Sequence, residues 1–153
     1  KTTTIGADYI IITHANFLTQ VQPLAAYRAS QNYRVQVVDV QDLYDEFNGG
    51  IFSPEAIKSF LAYAYANWIQ PAPKYVLLVG DGHFDFKNVL GYGEPIYIPP
   101  YLDDVDPWMS ETATDNRYVS VSGADILPDL YIGRFPARDA AEAQTMVEKT
   151  INY

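Results

Sequence analysis

Five consecutive β-forming apolar residues, Tyr75 to Val79 (YVLLV), are entered from Pro71 and Pro73 and left through Gly80-Asp81-Gly82. An uninterrupted apolar run of strand length, without the polar alternation of a half-solvated strand, reads as a strand buried on both faces. That is the pattern of a parallel sheet covered by helices on either side. Tyr75 to Val79 is therefore the expected central strand. Open α/β sheets place ligands and reactive groups just past the carboxyl ends of such strands, so Gly80 to Asp85 (GDGHFD) is the first place to look for chemistry.

The rest of the chain supplies what such a strand needs. Asp8 to Thr13 (DYIIIT) reads as a first strand and Phe17 to Gln31 as a helix, with Pro23 expected to mark where the regular helix begins. Asn32 stops it, and Arg34 to Val40 (RVQVVDV) is a second strand, parallel to the first through a right-handed crossover. Gln41 to Phe47 makes a short helix ended by Asn48-Gly49-Gly50. Ser53-Pro54-Glu55 is a strong helix start, and Ile57, Phe60, Leu61, Ala64 and Trp68 form the buried stripe of the helix that follows. Leu130 to Gly133 is the last strand. Asp139 and Glu142 form a capping box for a helix that buries Ala143, Met146, Val147 and Ile151.

The order β-α-β-α-β, a long insertion, then β-α specifies an α/β fold, a three-layer α/β/α sandwich with a mainly parallel sheet. Residues 1–6 read as a polar lead-in and 7–153 as a single α/β domain. The insertion, residues 86–129, is too long for a plain connection and reads as a folded functional loop. Within it, Ile96 to Ile98 and Arg117 to Val121 are expected to pair as a small antiparallel ribbon. The final helix runs to the end of the sequence, which suggests a piece of a longer chain.

Composition excludes several classes of function. A formal charge of −9 and a pI near 4.4 argue against nucleic acid as a partner, since binding a phosphate backbone needs clustered Lys and Arg. No apolar run is long enough to span a bilayer. With no Cys there is no disulfide, thiolate nucleophile or thiolate metal site within these residues. Thirteen Tyr and little Lys point to an extracellular or cell-surface bacterial protein.

Three groups of residues could carry chemistry. Asp81, His83 and Asp85 are close in sequence, with His83 and Asp85 on one side of an extended segment, a pattern compatible with metal binding or an acid-base pair. No third strong ligand or nucleophile accompanies them. The plainer reading is that Asp81 accepts hydrogen bonds from loop N–H groups while His83 packs at the sheet edge. His14, ending the first strand, reads as a structural polar contact. The Gly80-Asp81-Gly82 turn lacks the spacing of a nucleotide-binding loop, and no GxSxG elbow is present. Between Gly80 and Asp129 ten acidic residues face two basic ones. Asp103, Asp104, Asp106, Asp115 and Asp125 there offer the hard oxygen ligands that Ca²⁺ takes, although no DxDxDG loop is present. A solvated acidic face is the alternative.

Taken together, YVLLVGDGHFD, TDNRYVSVSGAD and PDLYIGRFPARDAAEAQTMVEKTINY resemble the N-terminal part of the gingipain-type cysteine peptidases, in the family's order and spacing. The resemblance runs from about Asp8 to Tyr153. It implies the N-terminal subdomain of a secreted, caspase-like α/β peptidase unit, whose partner is a C-terminal catalytic subdomain of the same parent chain carrying the catalytic His and Cys, and whose substrate is protein or peptide. No catalytic residue carries over onto this chain, and His83 does not correspond to the family's catalytic His. The resemblance also implies structural Ca²⁺ without naming its ligands. Arg134, in the IGR block, is expected to pair with Asp115 or Asp81, with Gly133 allowing close packing. The competing expectations are a stand-alone α/β binding module whose acidic loops take Ca²⁺ or a cationic ligand, and an independent hydrolase using His83 and Asp81.

Overall fold

Burial along the strands alternates between two cores. The computed structural model describes residues 5–91, 93–108, 110–123 and 125–153, with Val105 and Asp106 described in their backbone only. Four parallel strands, β1 (Tyr9–Thr13), β2 (Val35–Asp39), β3 (Tyr75–Val79) and β6 (Tyr131–Phe135), form one sheet in the order β2-β1-β3-β6. Ile10, Ile12, Val76 and Leu78 face α2 (Val40–Asn48) and α3 (Pro54–Asn67), packing on Leu43, Tyr44, Ile57 and Leu61. Ile11, Leu77 and Val79 face α1 (Leu18–Ser30) and α4 (Ala140–Asn152), packing on Val21, Leu24, Ala143 and Val147. This is the expected three-layer sandwich. The doubly apolar YVLLV run exists because both faces of β3 are covered.

The helix boundaries follow from local chemistry. Asp39 caps α2 by accepting from the Gln41 N–H, and Gly49 ends it in the left-handed region at φ 61°. Ser53 Oγ accepts from the Glu55 N–H, with Pro54 in the first turn of α3. Asp139 caps α4 by accepting from the Glu142 N–H at 2.8 Å. Glu142 in turn accepts from the N–H of Arg138, one residue before the position an ordinary capping box uses. Pro23 does not mark the start of α1. A 3-10 turn, Ala15–Phe17, capped by His14 Nδ1, starts the helical segment earlier and leaves Pro23 inside it on the exposed side.

The insertion departs from expectation. Its ribbon is β4 (Leu102–Asp106) paired antiparallel with β5 (Ser110–Ala113). Ile96 to Ile98 is not a ribbon strand: Tyr97 and Ile98 donate their N–H groups to the Asp81 carbonyl, and Ile98 is fully buried. Arg117 to Val119 lies in a second 3-10 turn, Asp115–Val119. The true ribbon strands, LDDVD and SETA, are too polar to show apolar alternation, whereas the apolar segments are apolar because the core takes them. At the other end of the chain, Lys1 to Thr4 lie outside the described residues, while the Ile5 carbonyl accepts from the Ile69 N–H at 3.0 Å.

Two glycines separate packing need from conformational freedom. A Cβ at Gly82 would stand 2.3 Å from the Ile98 carbonyl oxygen, whereas one at Gly133 would meet nothing within 4 Å. The expected close-packing role of Gly133 is therefore not what the fold uses. Gly82→Ala should lower unfolding free energy by ~1–3 kcal/mol, the usual range for overpacking. Gly133→Ala should raise it by ~0.5–1 kcal/mol, as replacing a strand glycine does. Urea unfolding of both variants checks this, and equal stability for Gly82→Ala and the parent would show that the close approach does not constrain the fold.

Candidate functional site

The strand order reverses direction between β1 and β3, so the crevice beyond their carboxyl ends is where a ligand of this architecture would sit. Thr13 Oγ1 donates to the Val79 carbonyl across it at 3.2 Å. The Tyr97 ring then stands 5.2 Å from the His14 ring and 4.7 Å from Phe17, occupying the mouth of the crevice. Gly80, at φ 144°, lets this happen, because a Cβ there would lie 2.7 Å from Tyr97 Cβ. The turn after the central strand thus receives its own chain. Sequence reading missed Tyr97, and no periodic signal marks it.

The GDGHFD residues are engaged in building the loop. Asp81 Oδ1 accepts from the Gly82 N–H at 2.9 Å. His83 Nδ1 accepts from the Asp85 N–H at 3.2 Å, which leaves Nε2 as the protonated nitrogen, donating to the Glu94 carbonyl at 3.0 Å. Asp85 is buried and accepts from the N–H groups of Val89 and Leu90 at 2.8 and 2.7 Å. With both ring nitrogens committed to backbone, His83 serves as a structural side chain.

Arg134 draws the surrounding segments together. It reaches from β6 to Asp115 in a two-pronged ion pair, Nε to Oδ2 and Nη2 to Oδ1, each at 2.8 Å. Its Nη1 donates to the carbonyls of Gly80 and Ile98 at 2.9 and 2.8 Å, and Nη2 to that of Pro99 at 3.1 Å. Beside it Tyr118 is fully buried and donates to the same Pro99 carbonyl at 2.7 Å. Burial holds the Tyr118 phenol far above its ordinary pKa. Tyr101 donates to Glu55 Oε1 at 2.6 Å and is pushed up to about 12, first by burial and then by that carboxylate.

The acidic candidates are distributed rather than gathered. Asp103 pairs with Arg117, Asp115 with Arg134, and Asp125 accepts from the Leu127 N–H at 3.0 Å. Asp104 is exposed on β4, and the side chain of Asp106 lies outside what is described. Among the described residues no three His, Asp or Glu come close enough to hold a metal ion. Two of the five candidate carboxylates, Asp103 and Asp115, are engaged by arginines, and the described residues do not gather the set around one point. No helix among the described residues is long and apolar enough to cross a membrane.

The sequence model described as peptidase family C25 matches residues 2–153. Comparison with curated proteins gives no match. Among solved structures, dimeric latent PorU from Porphyromonas gingivalis is similar over 96% of this chain and 15% of its own, at 27% identity and a TM-score of 0.77. The complex of Porphyromonas gingivalis RgpB pro- and mature domains is similar over 95% of this chain and 28% of its own, at 23% identity and a TM-score of 0.70. The Arg-specific cysteine proteinase gingipain R (RgpB) is similar over the whole of this chain and 29% of its own, at 22% identity and a TM-score of 0.70. The chain therefore spans less than a third of the length of each of these relatives.

Two outcomes test this account of the site. Arg134→Met should lower stability by ~3–5 kcal/mol, because it strands the partly buried Asp115 carboxylate and three carbonyls. Arg134→Lys should recover only part of that, since an ammonium cannot make the two-pronged contact. Chemical denaturation measures both. Millimolar Ca²⁺ should leave the thermal midpoint where EDTA leaves it, and a rise of several degrees would show that the ribbon does collect an ion.

Proposed function

The chain belongs to peptidase family C25, and from that premise we propose that it serves as the non-catalytic N-terminal subdomain of a secreted, gingipain-like cysteine peptidase. The observation that carries this reading is the absence of any cysteine in a chain that the family model matches almost end to end. A peptidase of the cysteine type attacks the scissile carbonyl with a thiolate and passes through an acyl-enzyme. The nucleophile must then lie outside these 153 residues.

The geometry supports the same division of labour. Both nitrogens of His83 are held by backbone groups, and His14 Nδ1 accepts from the Asn16 N–H. With no Cys in the sequence, neither histidine has a thiol to activate. The contribution assigned to this subdomain is a rigid sheet whose loops support a catalytic partner from the same parent chain. A partner domain is consistent with the RgpB relative, which was solved as a complex of pro- and mature domains.

The experiment compares three products of the parent gene: this chain alone, the full-length protein, and the full-length protein lacking these residues. Only the full-length protein should cleave peptide substrates, and iodoacetamide should abolish that cleavage. Turnover by this chain alone, or full-length turnover that survives replacement of every cysteine, would overturn the proposal.

A further inference from the structure

The amino-terminal ends of the strands carry a second concave site, on the side of the sheet away from the GDGHFD loop. Tyr9, Tyr75 and Tyr131 occupy one register across β1, β3 and β6. Their rings stack, with centroids 6.0 Å and then 5.5 Å apart and interplanar angles of 30° and 22°. Tyr33 meets this row edge-on, 6.2 Å from Tyr9 and 5.6 Å from Tyr75. With Arg28 and Gly133, these four tyrosines line a pocket of about 320 Å³. The recess is open over Gly133, where a Cβ would touch nothing within 4 Å.

The polar groups of this pocket match an anion. The Arg28 guanidinium carbon lies 5.6 Å from the Tyr9 ring and 5.5 Å from that of Tyr27. One Arg28 nitrogen, Nη1, donates to the neutral Gln31 amide oxygen at 2.8 Å, while its Nε is buried without a hydrogen-bond partner. A guanidinium with one nitrogen buried and unpaired is under-satisfied, and a carboxylate meeting its accessible edge adds the charge-assisted contact it lacks. Lys74 lies outside the lining, its Nζ 5.4 Å from the Tyr75 ring. Among the described residues, no ion pair holds either Arg28 or Lys74. In a chain of net charge −9, Arg28 is a charged lining residue set among aromatic rings.

We propose that the pocket between Tyr9, Tyr33, Tyr75 and Tyr131 binds a carboxylate carried on a single aromatic ring, the carboxylate on Arg28 and the ring against the tyrosines above Gly133. Ring faces and edges offer offset-stacked and edge-on contacts to another ring, and the volume sits at the small end of ligand pockets, roughly 300 Å³ upward. A free aromatic acid and the carboxy-terminal aromatic residue of a peptide share this chemistry. The site stands independently of the peptidase reading.

The test is calorimetric titration of this chain with benzoate, with a short peptide ending in Phe, and with the same peptide amidated; acetate is the control. Benzoate or the peptide acid should bind saturably, and acetate and the amide at least ~10-fold more weakly, the worth of one charged hydrogen bond. Arg28→Gln should weaken binding by a similar factor. Gly133→Val, whose side chain grows into the open recess, should abolish binding without lowering the unfolding midpoint. Binding of benzoate alone marks a free acid as the ligand, and binding of the peptide acid alone marks a peptide terminus. Failure of both to bind at millimolar concentration, or affinity unchanged in Arg28→Gln and Gly133→Val, would overturn the proposal.

Discussion

The fold depends on the placing of one guanidinium. A parallel sheet that ends in a long irregular insertion leaves carbonyls at the strand ends with no ladder partner, and buried backbone acceptors need a donor. Arg134 supplies donors to Gly80, Ile98 and Pro99, and Asp115 balances its charge. Only arginine brings several donors in one rigid plane, permanently charged, from a single side chain. Bringing such a charge out of water is costly, and the two-pronged carboxylate together with three carbonyls offsets that cost. The tie joins the end of β3, β6, the Ile96 to Pro99 segment and the Asp115–Val119 turn through one side chain.

That tie decides which parts of the surface are open. At the carboxyl edge it draws residues 96–99 over the end of β3, so that Tyr97 lies against His14 and Phe17 where ligands of open α/β sheets commonly sit. The position best suited to chemistry by topology is filled by the chain's own side chain. At the amino edge no insertion folds back among the described residues, and the tyrosine row keeps Tyr131 largely exposed, at 67%. The same sheet is closed at one end and concave at the other.

Much of this was legible in the sequence, for reasons that can be stated residue by residue. Tyr75 to Val79 and the Ser53-Pro54 start are strong signals because burial on two faces and helix capping are local demands. The C25 blocks around Gly80-Asp81 and Ile132-Gly133-Arg134 named the family, and the pairing of Arg134 with Asp115 is what joins two of those blocks in space. The ribbon was misplaced because Leu102–Asp106 and Ser110–Ala113 are stabilised by pairing and carry no apolar alternation, while Ile96 to Ile98 is apolar for the core's sake. Pro23 misled because a helix tolerates proline on its solvent side once an earlier 3-10 turn has started it. The tyrosine row was invisible because its members are separated by more than fifty residues each and meet only through strand register.

The acidic insertion shows how composition and contact can point in different directions. Ten carboxylates between Gly80 and Asp129 suggest a cation site when counted, since like charges on irregular backbone repel and a divalent ion would relieve them. Counting ignores where the few arginines go. Arg117 takes Asp103, and Arg134, arriving from outside the insertion, takes Asp115. Asp85 is spent on two loop N–H groups, and Asp129 likewise accepts from the N–H groups of Val121 and Ser122. Each of these carboxylates gains a donor that costs no ion and fixes a segment in place. A surplus of acid in such a loop is therefore better read as a supply of backbone caps and arginine partners, with any metal reserved for carboxylates that geometry leaves facing one another.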